Sequence, residues 1–453
     1  MKKSRGLIAQ SSFVGFLAAS WLSGCAIPPT HPASVTRDRA FIDYWPPPVN
    51  DKQLALAVKD NIDMKGVVTT AGSQYVAQTS PPASSDAACL AISRQRKVRI
   101  VGKTNLSEFA VSPSGLNDYF GTPRSPFGRW HNRIPGGSSS GSAVAVANGE
   151  AEVAFGTDTA GSIRVPAACC GVVGLKTTFG LVPLEGVFPI DPHHLDTVGP
   201  MARDIAHVAQ GMDLLQTGFA ARYRAAVAAK PAARNIKIGR LYLSGTDPRI
   251  DQAIDQALAR GPFRVLVLDQ AFKAKWKQAT RDGNTMAAAS AWLSDQQYLD
   301  KIRVRARTKA VIILGRVMYP GQYRAALQRR AAWQHALSQI FKKVDFIALP
   351  TLQTLPPTIP FIGNIALLEA RMLNLQNTVA VNFAGNAALA IPIPVNDKHV
   401  PVTSLQLVGP RLSEAQLLNA GRLIEGERPQ LDREVNPPGS RRRATDTGGR
   451  IAP

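Results

Sequence analysis

Hydrophobic and polar positions alternate in short blocks along most of the chain. Leu54-Ala-Leu-Ala-Val58 is an apolar run of strand length, Val98 to Val101 is a second, and Ala151 to Phe155 is a third. Between the first two, Ser85-Asp86 is placed to cap a helix running to about Arg94, because a short polar side chain can accept from the first free backbone N–H groups. Ser140 and Ser142 are expected to cap a helix that begins with Ala143-Val-Ala-Val-Ala147. From about Ile205 to Lys343 the chain is richer in helix formers and reads as a variable helical region that helps shape a substrate pocket. Strand candidates that alternate with helix candidates imply an α/β fold, a mixed sheet flanked by helices. No internal repeat interrupts this order, and residues 45–426 are expected to form one large domain.

The two ends depart from the pattern. Lys2, Lys3 and Arg5 precede an apolar stretch from about Phe13 to Leu22, too short and too interrupted for an ordinary membrane span, so residues 1–24 read as a signal peptide. Leu22-Ser-Gly-Cys25 resembles a bacterial lipobox, which implies cleavage before Cys25 and lipid on its sulfur and amine. Ala26 stands where aspartate would signal retention, so the expected site is the outer membrane, facing the periplasm. An uncleaved anchor or a plain secreted protein is the alternative. Residues 25–44 are expected to be an unfolded tether, and residues 427–453, with Arg441-Arg-Arg443, a disordered basic tail.

Charge and cysteine content narrow the partners. The formal charge is +21. Such a surface suits anionic lipid, or it is simply solvated; a nucleic-acid partner is not expected, since no recognition motif accompanies the charge. With Cys25 lipidated, Cys89, Cys169 and Cys170 remain, an odd set without metal-ligand spacing, so they are expected to be packing residues without a disulfide. Neither metal nor cofactor is implied, and the sequence does not set an oligomeric state.

Two glycine-rich loops carry the candidate chemistry, Pro135-Gly-Gly-Ser-Ser-Ser-Gly-Ser142 and Gly156-Thr-Asp-Thr-Ala-Gly-Ser-Ile-Arg-Val-Pro166. Glycines let the backbone approach a ligand closely, so a serine among them can be presented with N–H groups around it, as acyl transfer requires. A serine nucleophile needs a base. The seven histidines lie outside such settings, whereas Lys59 follows the apolar Leu54–Val58 run, where burial would lower its pKa toward a useful range. Asp158 and Arg164 flank the second loop and are expected to pair and fix it. Ser139 fits the Gly-x-Ser-x-Gly of a nucleophile elbow, but that elbow needs a preceding strand, and Arg129-Trp-His-Asn-Arg-Ile-Pro135 is polar and ends in proline.

Val58-Lys-Asp-Asn-Ile-Asp63, Gly102-Lys-Thr-Asn-Leu-Ser-Glu-Phe109, both glycine loops, Cys170-Gly-Val-Val-Gly-Leu-Lys176, Asp196-Thr-Val-Gly-Pro-Met-Ala-Arg203 and Leu405-Gln-Leu-Val-Gly-Pro410 together resemble the amidase signature family of serine amidohydrolases, in family order. The resemblance implies the amidase signature fold. It also implies Ser162 as nucleophile, Ser138 as proton relay after a cis Gly137–Ser138 peptide, neutral Lys59 as base, and an oxyanion hole of the Thr159, Ala160, Gly161 and Ser162 backbone N–H groups. A small-molecule or peptide amide would give a carboxylate and ammonia or an amine, without metal or cofactor. Two other readings stand beside it. One is the glutaminase subunit of an amidotransferase, against which Ala310-Val-Ile-Ile-Leu-Gly315 lacks the arginine those subunits carry there. The other is an inactive binding lipoprotein of the same fold. Tyr119 and Phe120 are either an acyl pocket or core.

Overall fold

The computed structural model describes residues 38–426, apart from residues 49, 129–130, 230–235 and 361–364 and the side chain of residue 366. The signal peptide, Cys25, residues 25–37 and the basic tail therefore lie outside the described residues.

The strands are β1 (Phe41–Tyr44), β2 (Ala55–Lys59), β3 (Arg99–Thr104), β4 (Val153–Thr157), β5 (Val173–Lys176), β6 (Val198–Ala202), β7 (Ile236–Arg240), β8 (Phe263–Val267), β9 (Phe346–Pro350), β10 (Ala388–Pro394) and β11 (Val402–Val408). They form one mixed sheet in the order β1-β3-β2-β4-β6-β5-β10-β11-β9-β7-β8. β3, β2 and β4 run parallel, as do β8, β7 and β9, while the strands between are joined antiparallel. Side chains alternate across a strand, and β2 sorts its residues accordingly. Leu56 and Val58 join the larger core under the helices Ile205–Leu215, Pro248–Arg260 and Glu414–Glu425. Ala57 and Ala154 face the opposite core, built on the helices Ser140–Asn148 and Arg164–Cys170. Small residues on that face let Ser140–Asn148 lie close to the sheet, directly behind the first glycine loop.

Several boundaries differ from the pattern reading. β3 and β4 run on to Thr104 and Thr157. An apolar-run criterion stops at polar residues, but these buried strand ends are polar because they serve the site. Asp86 caps no helix: a tight turn over Ala88–Leu90 leads into Ala91–Gln95, and the Asp86 carboxylate instead accepts from Arg94 at 2.8 and 3.0 Å. Ser140 and Ser142 lie inside their helix, not before it; Ser142 Oγ is 2.6 Å from Thr104 Oγ1. The tether ends earlier than expected, because Phe41–Tyr44 pairs antiparallel with β3 and Ala40 and Phe41 are fully buried. Residues 205–343 hold two strands, β7 and β8, as well as helices; β8 is the open edge of the sheet and carries the cation Arg264 there.

Cys89, Cys169 and Cys170 are free and buried. Tyr119 and Phe120 stack edge-to-face within a cluster with Ile42, Leu106 and Ile190, which makes them core.

Candidate active site

Lys59 is the last residue of β2 and is fully buried. Its Nζ lies 2.7 Å from Ser138 Oγ and 2.7 Å from Thr157 Oγ1, which also accepts from Asn61 Nδ2 at 3.1 Å. Burial lowers the Lys59 pKa to about 7, against the opposing pull of Asp158 and Asp196, so near neutrality a large share of this amine is unprotonated. Ser138 is fully buried too, and the Gly137–Ser138 peptide is cis. Its carbonyl accepts from Ser107 N–H at 3.3 Å and Ser140 N–H at 2.9 Å, so the turn is held from both sides.

Ser162 sits on the loop between β4 and the helix Arg164–Cys170, with its carbonyl accepting from Ser139 N–H at 3.2 Å. The two glycine loops are thereby tied back to back. Ser138 and Ser162 share no side-chain hydrogen bond here. The N–H groups of Thr159, Ala160, Gly161 and Ser162 have no acceptor among the described residues, whereas the next one, Ile163 N–H, donates to Asp158 at 3.1 Å. Four consecutive free donors around one serine are what a developing oxyanion needs. Gly161 has φ +138°, and a Cβ there would stand 2.2 Å from Thr378 Oγ1. That threonine in turn donates to Ala160 O at 2.5 Å, so the loop admits no side chain at Gly161 and is pinned from the far side.

Beneath the loop, Arg164 and Asp158 form a fully buried two-point pair at 2.9 and 3.1 Å. Arg164 also donates to Thr378 O at 3.0 Å, to Gln406 Oε1 at 2.6 Å and to Asn382 Oδ1, and Asn382 Nδ2 returns a bond to Asp158 at 2.8 Å. Burial alone would raise the Asp158 pKa, but the Arg164 guanidinium, with Lys176 and Asn382, outweighs it and holds the carboxyl near 2. Asp158 is therefore an anchored anion, not a proton acceptor at neutral pH.

Other buried polar groups crowd the same strand ends. Lys103 pairs with Asp60 at 3.0 Å, and Asp60 also accepts from Thr70. Lys176 donates to Thr177 O and Asn386 O, and burial together with Arg164 lowers its pKa to about 7. Asp196 accepts from Thr159 Oγ1 at 2.6 Å, and burial raises it to about 6. Only a narrow hollow lies between Asn61, Thr157, Thr159, Phe188, Ile190 and Asp196. Thr157, Thr378, Asn382 and Gln406 escape sequence reasoning. Thr157 leaves a signal as a neighbour of the Asp158 loop and Gln406 as a member of the Leu405–Pro410 block, but Thr378, Asn382 and Gln406 reach the site through contacts more than 200 residues away. Ser139 follows a loop, not a strand, and its Oγ turns to Thr157 O at 3.3 Å, which removes the nucleophile-elbow reading. Among the described residues no group of histidines, cysteines and carboxylates is arranged to hold a metal.

Residues 53–418 match the Amidase family. The chain is 34% identical to 2-amino-5-chloromuconic acid deaminase of Comamonas testosteroni over 388 residues, covering 82% of this chain and 81% of that protein. It is 30% identical to a glutamyl-tRNA(Gln) amidotransferase subunit of Halobacterium salinarum, covering 82% of this chain and 94% of that protein. Among solved structures, an inhibitor-bound vestigial protein complex that reveals the origins of an s-triazine catabolic enzyme superposes with a TM-score of 0.71 at 25% identity, over 82% of this chain and 83% of that one.

Proposed function

The chain belongs to the Amidase family, and from that premise we propose that it hydrolyses a carboxylic amide to a carboxylate and ammonia or an amine through a seryl acyl-enzyme. The observation that carries the reading is the 2.7 Å contact of a fully buried Lys59 amine, with its pKa near 7, to Ser138 Oγ on a loop tied to that of Ser162.

In the forward step Ser162 Oγ bonds to the carbonyl carbon while its proton passes to Ser138 Oγ, and the Ser138 proton passes to the Lys59 lone pair. The carbonyl electron pair moves onto oxygen, where the N–H groups of Thr159, Ala160, Gly161 and Ser162 receive it; each such donor is worth about 2.7–4 kcal/mol in the transition state. The C–N bond then breaks as Lys59, through Ser138, protonates the departing nitrogen. Water repeats the sequence on the acyl-enzyme with the same base. Asp158 and Arg164 act by holding the loop. Ammonia release is the chemistry named in the chloromuconate deaminase relative, which favours primary amides and related C–N bonds as the first substrates to try.

The test is amide hydrolysis across primary, peptide and aryl amides. Ser162→Ala and Lys59→Ala are each expected to lower kcat by about 10⁴-fold or more while the protein stays folded. Folded protein that turns over nothing and fails to react with a fluorophosphonate at Ser162 would instead make this an inactive binding protein. The near-complete coverage of the amidotransferase relative keeps glutaminase as a second reading. Glutamine belongs in the screen for that reason, although the Ala310–Gly315 segment offers apolar Ile312 and no arginine.

We further propose an exported enzyme, anchored in the cell envelope through lipid on Cys25. The support is the sequence Leu22-Ser-Gly-Cys25 after a basic and apolar leader. Incorporation of labelled palmitate that Cys25→Ser abolishes is the expected result; equal labelling of the variant would refute it.

A further inference from the structure

One helix turns an apolar face to solvent in the most basic part of the chain. Ala306–Met318 buries Thr308 on Glu108, Ile312 in the cluster with Val76 and Phe109, and Gly315 against the helix Gln270–Asp295, so closely that a Cβ on Gly315 would meet Ala288 O at 2.0 Å. Its outer side carries Ala306, Ala310, Ile313, Leu314 and Val317, all exposed, with Ile313 at 51%, Leu314 at 45% and Val317 at 70%. Their spacing puts them on one continuous stripe about 100° wide, the width of a face built to be covered. Ile302, just ahead of the helix, is 96% exposed, and Leu293 on the neighbouring helix is 41% exposed.

The charge around this stripe is mostly positive, although exposed Asp300 pairs with Lys301 at 3.1 Å and also feels Lys309. From Lys301 to Val344 the chain has eleven lysines and arginines and no acidic residue. At about 100° per residue, Lys309 and Arg316 border the stripe on one side and Arg307 on the other. Arg307 is held by Asp118 at 3.1 Å, but Arg303, Lys309, Arg316 and Arg324 make no ion pair among the described residues. A second copy docking here would set this unneutralised charge against itself. A surface of anionic phosphates over acyl chains complements both the charge and the stripe.

We propose that the helix Ala306–Met318, with Ile302 and the cations beside it, is a docking surface for anionic membranes. The helix is about 20 Å long and lies flat, with the stripe at the acyl boundary and Arg303, Lys309, Arg316 and Arg324 on lipid phosphates. No helix among the described residues is long and apolar enough to cross a membrane, so this is contact along a face. The inference is independent of the proposed chemistry.

The experiment is co-sedimentation of the full chain carrying Cys25→Ser, which removes the attachment point for lipid, with phosphatidylcholine vesicles containing increasing phosphatidylglycerol. Binding is expected to rise with the anionic fraction and to fall as salt is raised from about 0.1 to about 0.5 M, a range over which the Debye length shrinks below the span of the cation cluster. Ile313→Asp with Val317→Asp is expected to weaken it by about 10-fold or more. Lys309→Glu with Arg316→Glu is expected to remove most of the salt dependence. Val267→Asp, at a residue equally exposed on the sheet edge, is the control expected to bind as the parent does, and all variants should keep the parent's melting temperature within a few degrees. Parent protein that stays in the supernatant, or an Asp pair that binds as well as the parent, overturns the proposal. So does a parent dimer that the Asp pair converts to monomer without any dependence on vesicles.

Discussion

At neutral pH the proposed base is poised between its two forms. Lys59 accepts a proton only when neutral, so kcat/KM is expected to rise about tenfold per pH unit below about 7 and to level off above it. Asp196, under Thr159, titrates near 6, on the same limb. Asp196→Asn separates the two, since the lysine limb should survive it but move to lower pH with loss of the Asp196 charge; a pH–rate profile of both proteins makes the comparison. Asp158 behaves oppositely. Its depressed pKa contributes stability that is complete above the ordinary carboxylate range and is lost only as pH falls toward 2. Arg164→Met would strand that carboxylate in the interior and is expected to cost about 3–5 kcal/mol in urea unfolding, with loss of activity following from the displaced loop. Gly161→Ala asks for a left-handed backbone and a side chain where Thr378 already stands, so a loss of about 1–3 kcal/mol and most of the turnover is expected by the same two measurements.

At the scale of elements, the sequence is most legible where chemistry constrains it. Lys59, Ser138 and Ser162 lie in blocks whose glycines and serines have few other uses, and the structure gathers their strand and loops at one end of the sheet. The elements that support them are less legible. β1 is four residues long and reads as the end of a tether, because what fixes it is distant: Ala40 O rests where a Cβ on Gly141 would be, at 2.2 Å. Gly141→Ala should therefore push β1 away from the helix Ser140–Asn148. The expected outcome is faster amide exchange over residues 40–44 and β3, with lower thermal stability; unchanged exchange there would show that β1 contributes little. Likewise β7 and β8 are five residues each in a helix-rich stretch, and nothing local announces that they extend the sheet beyond β9. Ser140 and Ser142 mislead for a similar reason. Polar residues before an apolar run look like caps, yet here Ser142 bonds Thr104 and helps join the helix to the sheet.

For the whole molecule, the balance between a strongly basic exterior and a polar interior matters most. The sheet buries three complete lysine side chains, Lys59, Lys103 and Lys176, at the ends of β2, β3 and β5. Lys103 has Asp60 for company, but Lys59 and Lys176 have only neutral partners within bonding distance. Both sit near pKa 7 in the folded chain and regain 10.5 when it unfolds, so the unfolded chain binds more protons between those values and stability rises with pH across that window. Folding in a weakly alkaline solution is thus an acid-releasing event, with one proton ejected from each of these two amines. The heat of refolding at about pH 8.5, inside that window, should then depend on the buffer, differing between Tris and phosphate by the enthalpy with which each takes up the ejected protons.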